Sequence, residues 1–249
     1  MSGTRLRSET LDIGDVSAAD RRAMYEIFAR HYDCVTWEHF VADLEEKNAV
    51  ILLRAAPGGR ICGFSTQRLF RCCTAGVDVR VIFSGDTVVD RSFWGEQELG
   101  KAWCRFVSGV FYDDPDVPLY WLLISKGYRT YLYLPLFFNE FWPRVDRPTP
   151  RAVQRILDAA AGARFPSDYN STTGLVVFPT SLGQLKPELA VIPERRRANP
   201  HVQFFLQKNP GFAGGNELVC LAEISPQNLK RFAARIIHNL AEARMHVAR

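Results

Sequence analysis

Apolar residues recur first at helical spacing along this chain and then in alternation, and the change of period marks out its elements. Residues 17–32 open with Ser17, a good helix N-cap, and Ala19, Met24, Ile27, Phe28 and Tyr32 supply one apolar face. A second helix is predicted over 36–47, with Phe40, Val41 and Leu44 facing inward. The period then shortens: 49–54 (AVILLR) reads as a strand, Pro57-Gly58-Gly59 as a hairpin turn and 61–73 as its partner. Ala75-Gly76 turns the chain again into a long strand over 77–89. Residues 1–17 read as a loose leader or a short first strand.

A helix follows over 96–112, then a turn cluster at 113–118 (DDPDVP) and a buried strand at 119–124. From 128 to 141 leucines and aromatics return to helical spacing, interrupted by Pro135. Prolines between 143 and 150 suggest a boundary, dividing the chain into a core at 1–143 and a C-terminal extension at 144–249. The extension is expected to hold a helix at 151–161, a strand at 174–178, a final strand pair at 202–207 and 217–224, and a helix at 227–247. Leu229, Phe232, Ile236, Ile237 and Leu240 form the inner face of that helix. The extension is expected to complete the sheet of the core and to cover the acceptor site.

Composition narrows the function classes. With 249 residues, 47% hydrophobic and 23% charged, the chain has the makeup of a folded globular protein. A formal net charge of +4 suits an anionic ligand and is too weak a bias to indicate nucleic acid. Six cysteines form no C-x-x-C pair and no zinc spacing with histidine, so no metal is expected and a reducing cytoplasm is the default compartment. No run approaches the length of a membrane span. Walker, dinucleotide-binding and Ser-His-Asp signatures are absent from the sequence.

The richest segment is 81–107, VIFSGDTVVDRSFWGEQELGKAWCRFV: an apolar strand, a glycine-bearing turn and an amphipathic helix. A strand delivered to a helix N-terminus gathers unpaired N–H groups and the positive end of the helix dipole at one spot, which favours an anion. The segment resembles the pyrophosphate signature of the GCN5-related N-acetyltransferase (GNAT) superfamily. Asp86 falls on the strand-end acid, Val89 on the apolar anchor, Phe93 on the aromatic and Gly95 on the first loop glycine. Trp94 replaces the usual basic residue, and Gln97 and Leu99 replace small ones. A second register, Gln97-Glu-Leu-Gly100-Lys-Ala102, matches Gln-x-x-Gly-x-Ala one helical turn later. The predicted order of helices and strands over 15–143 is that of the same superfamily.

The resemblance implies an α/β (α+β) fold: a mixed, mostly antiparallel sheet flanked by helices, with extra C-terminal elements. It also implies acetyl-CoA or a longer acyl-CoA as co-substrate, held by Thr87, Val88, Val89, Phe93, Trp94, Gly95, Glu96, Gln97 and Gly100. The acyl group then passes by direct attack to an amine or hydroxyl of a small molecule. Asp86 becomes the base and Tyr131, on the helix after 119–124, the acid for the departing thiolate, with Tyr128 and Tyr133 as neighbours. The acceptor meets His31, Tyr32, Trp37 and Tyr128. Phe28, Arg30 and Trp37 also resemble the N-terminal pattern of acyl-homoserine-lactone and N-acyl amino acid synthases, which makes an acyl carrier protein the alternative donor. A GNAT-fold protein that binds a thioester or a partner without turnover is the alternative to an enzyme.

Overall fold

The computed structural model of the chain describes residues 6–57, 59–179, 183–237 and 239. Its centre is an eight-stranded mixed sheet in the order β1-β3-β4-β5-β6-β10-β8-β7. The strands are β1 (Leu6–Asp12), β2 (Tyr32–Asp33), β3 (Ala49–Ala55), β4 (Arg60–Thr74), β5 (Val77–Val89), β6 (Leu119–Ser125), β7 (Tyr169–Asn170), β8 (Leu175–Val176), β9 (Gln184–Leu185) and β10 (Glu217–Glu223). Every pairing in the sheet is antiparallel except β5 with β6. The short strands β2 and β9 pair apart from the sheet and tie the extension to the end of the first helix. The fold class is the one expected.

The helices are α1 (Ala18–His31), α2 (Trp37–Glu45), α3 (Glu98–Asp113), α4 (Tyr128–Tyr131), α5 (Tyr133–Phe137), α6 (Arg151–Arg164), α7 (Pro187–Ala190), α8 (Glu194–Arg197) and α9 (Pro200–Lys208), with a further helical run at 231–237. Two of them start where the caps require: Ser17 accepts from Asp20 N–H and Thr36 from His39 N–H. Strand alternation assigns the faces. Ile51 and Leu53 of β3, with Trp121 and Leu123 of β6, point to a core shared with α3, α5 and α9. Val50 and Leu52 point to a second core under α1 and α2, while Val81, Phe83 and Leu122 pack beneath α6.

Three expectations are corrected. Residues 202–207 are helical: Asn199 caps α9 by accepting from His201 and Val202 N–H, Pro200 stands where helices tolerate it, and Val202 and Phe205 bury one face. The helix expected at 128–141 is two short pieces, and beyond Phe137 the chain is extended, with Phe138 bridged to Leu229. That bridge also delays the last helix, since Lys230 N–H donates to Phe137 O before the helical run begins. Leu240 and the end of that expected helix lie outside the described residues.

Gly63 on β4 sets how closely β4 and β5 approach. A Cβ on Gly63 would stand 2.7 Å from Val88 O and 3.1 Å from Val89 Cα, both backbone atoms. A Cβ on Gly14 would meet nothing within 4 Å. Gly63→Ala is expected to cost about 1–3 kcal/mol in urea unfolding, as overpacking does. Gly14→Ala should stay within about 0.5 kcal/mol of the parent.

Candidate functional site

The site arises where the sheet comes apart. β5 pairs with β6 only over Arg80–Ser84 against Leu119–Leu123. Beyond Ser84, β5 continues to Val89 against β4 alone, while the end of β6 continues against β10. On β5, Ser84 is opposite Gln67 and Thr87 opposite Ser65, so Gly85 and Asp86 together face the single residue Thr66. This β-bulge shifts the side-chain alternation by one. Phe83 and Val88 consequently share the helical face of α1, α2 and α6, and Val89 turns to the face of α3. A Cβ on Gly85 would lie 2.7 Å from Thr66 Oγ1 and 2.8 Å from Lys47 Cε, so a larger residue here requires those side chains to shift.

Two cavities flank the gap. The larger, about 670 Å³, runs from Thr87–Val89 along Phe93–Gln97 to Gly100 and across to Tyr128, Arg129 and Tyr133. The smaller, about 330 Å³, is bounded by Phe28, Phe40, Phe83, Asp86, Lys126, Arg164, Phe165 and Glu217. Tyr32, Thr87 and Thr130 line both, so the two spaces adjoin at the splayed strands.

The larger cavity is built for negative charge. Gln97 gives the N-terminus of α3 no side-chain cap, so the N–H groups of Glu98, Leu99 and Gly100 have no intrahelical acceptor. The Glu98 carboxylate is drawn away, accepting from Ser8 Oγ at 2.6 Å and Arg105 at 2.7 Å. Gly95 turns the loop with φ +101°, a conformation that favours glycine. Arg129, Arg195 and Arg196 line the cavity against Glu96 as the one acid among its lining residues. One strand-edge group is already engaged. Asp90 N–H donates to Cys62 O on β4, which turns the Val89 carbonyl to the opposite edge, and there it accepts from Trp94 Nε1 at 2.8 Å. The Arg129 guanidinium stacks on the same indole at 4.3 Å.

The smaller cavity is walled by aromatic rings and carries more acids than bases. Most of its charges are paired. Lys126 meets Glu217 at 3.3 Å, Arg164 meets Asp43 at 3.2 Å and Glu46 at 3.1 Å, and Lys47 meets Asp43 at 2.6 Å. Asp86 has no hydrogen bond or ion pair among the described residues. Burial, reinforced by Asp43 and Glu217 and opposed by Lys126 and Lys47, pushes its carboxyl up to about 7. Burial and then the nearby acids Asp86 and Glu217 push the Tyr32 phenol upward, so it stays protonated.

The residues singled out from the sequence are distributed as follows. Thr87, Val88, Val89, Phe93, Trp94, Gly95, Glu96, Gln97, Gly100, His31, Tyr32 and Tyr128 line the larger cavity, and Asp86 lines the smaller. His31 Nδ1 lies 2.9 Å from Ile27 O and donates to it, and its buried Nε2 has no partner among the described residues. Gly100 also meets a packing demand, since a Cβ there would lie 3.2 Å from the Phe137 ring. Tyr131 lines neither cavity. It is fully buried among Phe141, Phe204 and Phe205, and its hydroxyl donates to Pro143 O at 2.9 Å. Tyr128, Leu132, Tyr133 and Leu136 form the cleft-facing row instead, which places Tyr131 on the core side. Trp37 also lines neither cavity, packing against Tyr25 and Phe40 with the Arg22 guanidinium 3.9 Å above its ring. Lys126, Thr130, Glu217 and the extension residues Arg164, Phe165, Leu189, Arg195 and Arg196 carry no joint signature in the sequence. The basic run Arg195–Arg197 is the one local feature among them.

Among the described residues no helix is long and apolar enough to cross a membrane and no cluster of metal-ligating side chains occurs. No family model matches the chain, and no curated protein matches it. Solved structures with partial likeness include a conserved protein from Enterococcus faecalis described as a probable N-acyltransferase, at 14% identity and a TM-score of 0.42. That match covers 58% of this chain and 38% of the other. A GNAT family N-acetyltransferase from Escherichia coli in complex with CoA matches at 12% identity over 56% of this chain and 71% of its own, with a TM-score of 0.39. An acetyltransferase from Trypanosoma brucei matches at 20% identity over 59% and 98%, also with a TM-score of 0.39.

The raised Asp86 carboxyl has a consequence for stability. Its proton is held more tightly in the folded than in the unfolded chain, whose carboxylate titrates near 3.9. Its contribution is therefore most favourable in acid and declines as pH rises from about 4 to about 7. Asp86→Asn, a mimic of the protonated group, is expected to raise the midpoint of urea unfolding more at pH 8 than at pH 5. An equal gain at both would contradict this assignment.

Proposed function

We propose that this chain is a GNAT-type acyltransferase that moves an acyl group from acyl-CoA to a small amine by direct attack. The observation that carries this reading is the unpaired carboxyl of Asp86 beside the junction of two cavities, one suited to a phosphorylated thioester and the other to a cation. The diphosphate lies against the amides at the start of α3 with Arg129, Arg195 and Arg196 around it. The pantetheine arm adds to the free edge of β5 at Thr87–Val89 in the manner of an extra strand. The acceptor enters the smaller cavity, whose acids favour an ammonium and whose aromatic rings favour an apolar or aromatic body.

The chemistry follows from those positions. Asp86, directly or through water, takes a proton from the ammonium, and the freed nitrogen attacks the thioester carbonyl. The C–S bond breaks, the thiolate takes a proton from Tyr32, which lines both cavities and replaces Tyr131 in that role, and the second proton shed by the acylated nitrogen restores the Tyr32 phenol. A carboxyl near neutrality is well matched to a base that must be unprotonated at working pH yet still attract a proton.

One observation favours a second reading, a thioester-binding protein without turnover: the Trp94 indole already occupies the Val89 carbonyl that the pantetheine arm would use. Acetyl-CoA is expected to raise the melting temperature, and an amine panel with aromatic members should release free CoA thiol. The rate should rise with pH through about 7 and then level. Asp86→Asn should lower kcat by about 10²–10⁴ and remove that rise. Stabilisation without thiol release would leave the binding protein standing, and no stabilisation by acetyl-CoA would remove both readings.

A further inference from the structure

A continuous chain of buried polar side chains crosses the sheet and ends at the junction of the two cavities. Trp121 Nε1 donates to Ser84 Oγ at 2.9 Å, and Ser84 donates to Gln67 Oε1 at 2.7 Å. Gln67 Nε2 donates to Ser65 Oγ at 2.8 Å, and Ser65 Oγ lies 2.8 Å from Thr87 Oγ1. Gln67, Ser65 and Ser84 are all buried. None of these bonds belongs to the strand ladder.

The direction of every link follows from its first member. An indole N–H only donates, so Ser84 receives it and directs its own proton to Gln67. The Gln67 amide is then oriented with its oxygen toward Ser84 and its NH₂ toward Ser65. Ser65 accepts from that NH₂, and its own proton, with no other acceptor among the described residues, goes to Thr87 Oγ1. The Thr87 proton is the last in the series, and its acceptor within the chain is Gly85 O at 3.3 Å, the longest link. Donation in series strengthens each successive donor. The chain therefore ends in a polarised hydroxyl whose proton is weakly held, on a residue that lines both cavities.

We infer that the Thr87 hydroxyl donates to the thioester carbonyl oxygen and to the oxyanion formed on attack, with Ser65, Gln67, Ser84 and Trp121 as positioning residues that aim it. The inference rests on the proposed binding of an acyl thioester at this site. On attack, the carbonyl π pair moves to oxygen as the C–N bond forms, and it returns as the C–S bond breaks. The Thr87 proton stays on Thr87 throughout and supplies one hydrogen bond where charge develops. The bulge is essential to this arrangement, because it allows Ser84 and Thr87, three residues apart, to join one lateral chain through β4.

The probe is acetyl-CoA carrying carbon-13 at the carbonyl, read by infrared difference spectroscopy on the whole protein. With the parent, the carbonyl band of bound probe should shift to lower frequency than in water. Thr87→Ser should keep the shift and Thr87→Val should lose it while still binding CoA. With an accepted amine, Thr87→Val should lower kcat by about 10²-fold with the KM for acetyl-CoA changed less than threefold. Thr87→Ser should remain within a few-fold of the parent. Ser65→Ala, which leaves the threonine in place but removes its donor, should reduce both the shift and kcat, and it stands in if Thr87→Val does not fold. An unshifted band in the parent, or an unaltered kcat in Thr87→Val and Ser65→Ala, would overturn the inference while leaving acyl transfer intact. Failure of acetyl-CoA to bind would overturn it together with the reading on which it rests.

Discussion

The site depends on one extra residue in β5. With Gly85 and Asp86 set against Thr66 alone, the strand changes phase: before the bulge its odd-numbered side chains face α6, and after it Val88 takes that side. Pairing with β6 ends at the same point, and the unpaired edge beyond it forms one wall of the larger cavity. The lack of a side chain at Gly85 makes this possible, since Thr66 and the Lys47 stem fill the space a Cβ would need. Cleft, carboxylate and hydroxyl chain all follow from that local geometry.

The two cavities differ in how they treat charge. Around the start of α3, cations and uncapped amides face outward, and the one nearby acid on the helix, Glu98, is held by Arg105 and Ser8. In the smaller cavity, Lys47, Lys126 and Arg164 are spent on Asp43, Glu46 and Glu217, which leaves Asp86 without a counter-ion. A buried carboxyl without a partner is costly, and proteins keep such groups mainly where the perturbed proton affinity is used. The paired acids add to the effect, since Asp43 and Glu217 raise the affinity of Asp86 for its proton.

Much of this architecture is legible in the sequence because the signals are local. Ser17 and Thr36 cap their helices, Ala75-Gly76 turns the β4–β5 hairpin with both residues at positive φ, and 49–54 alternates cleanly between two cores. The failures share a cause. Residues 202–207 are a short apolar run that fits either period, and the Asn199-Pro200 start that decides for a helix lies just outside it. Spacing from the preceding strand favours Tyr131, but in a short helix a shift of one position rotates a side chain by about 100°, and here that shift separates cleft from core. The bulge cannot be read from β5 by itself, because a surplus residue exists only relative to its partner strand. The cavity residues donated by the extension, Phe165 and Arg195 among them, come from segments remote along the chain.

Three residues, Tyr32, Thr87 and Thr130, line both cavities and form a waist between chambers that lie largely on opposite faces of the sheet. Molecules filling two such chambers would approach from different sides and meet end to end at this constriction. Two occupants would then share only the waist, and neither would need to pass through the other's chamber. The dimensions of each chamber would then limit its own occupant.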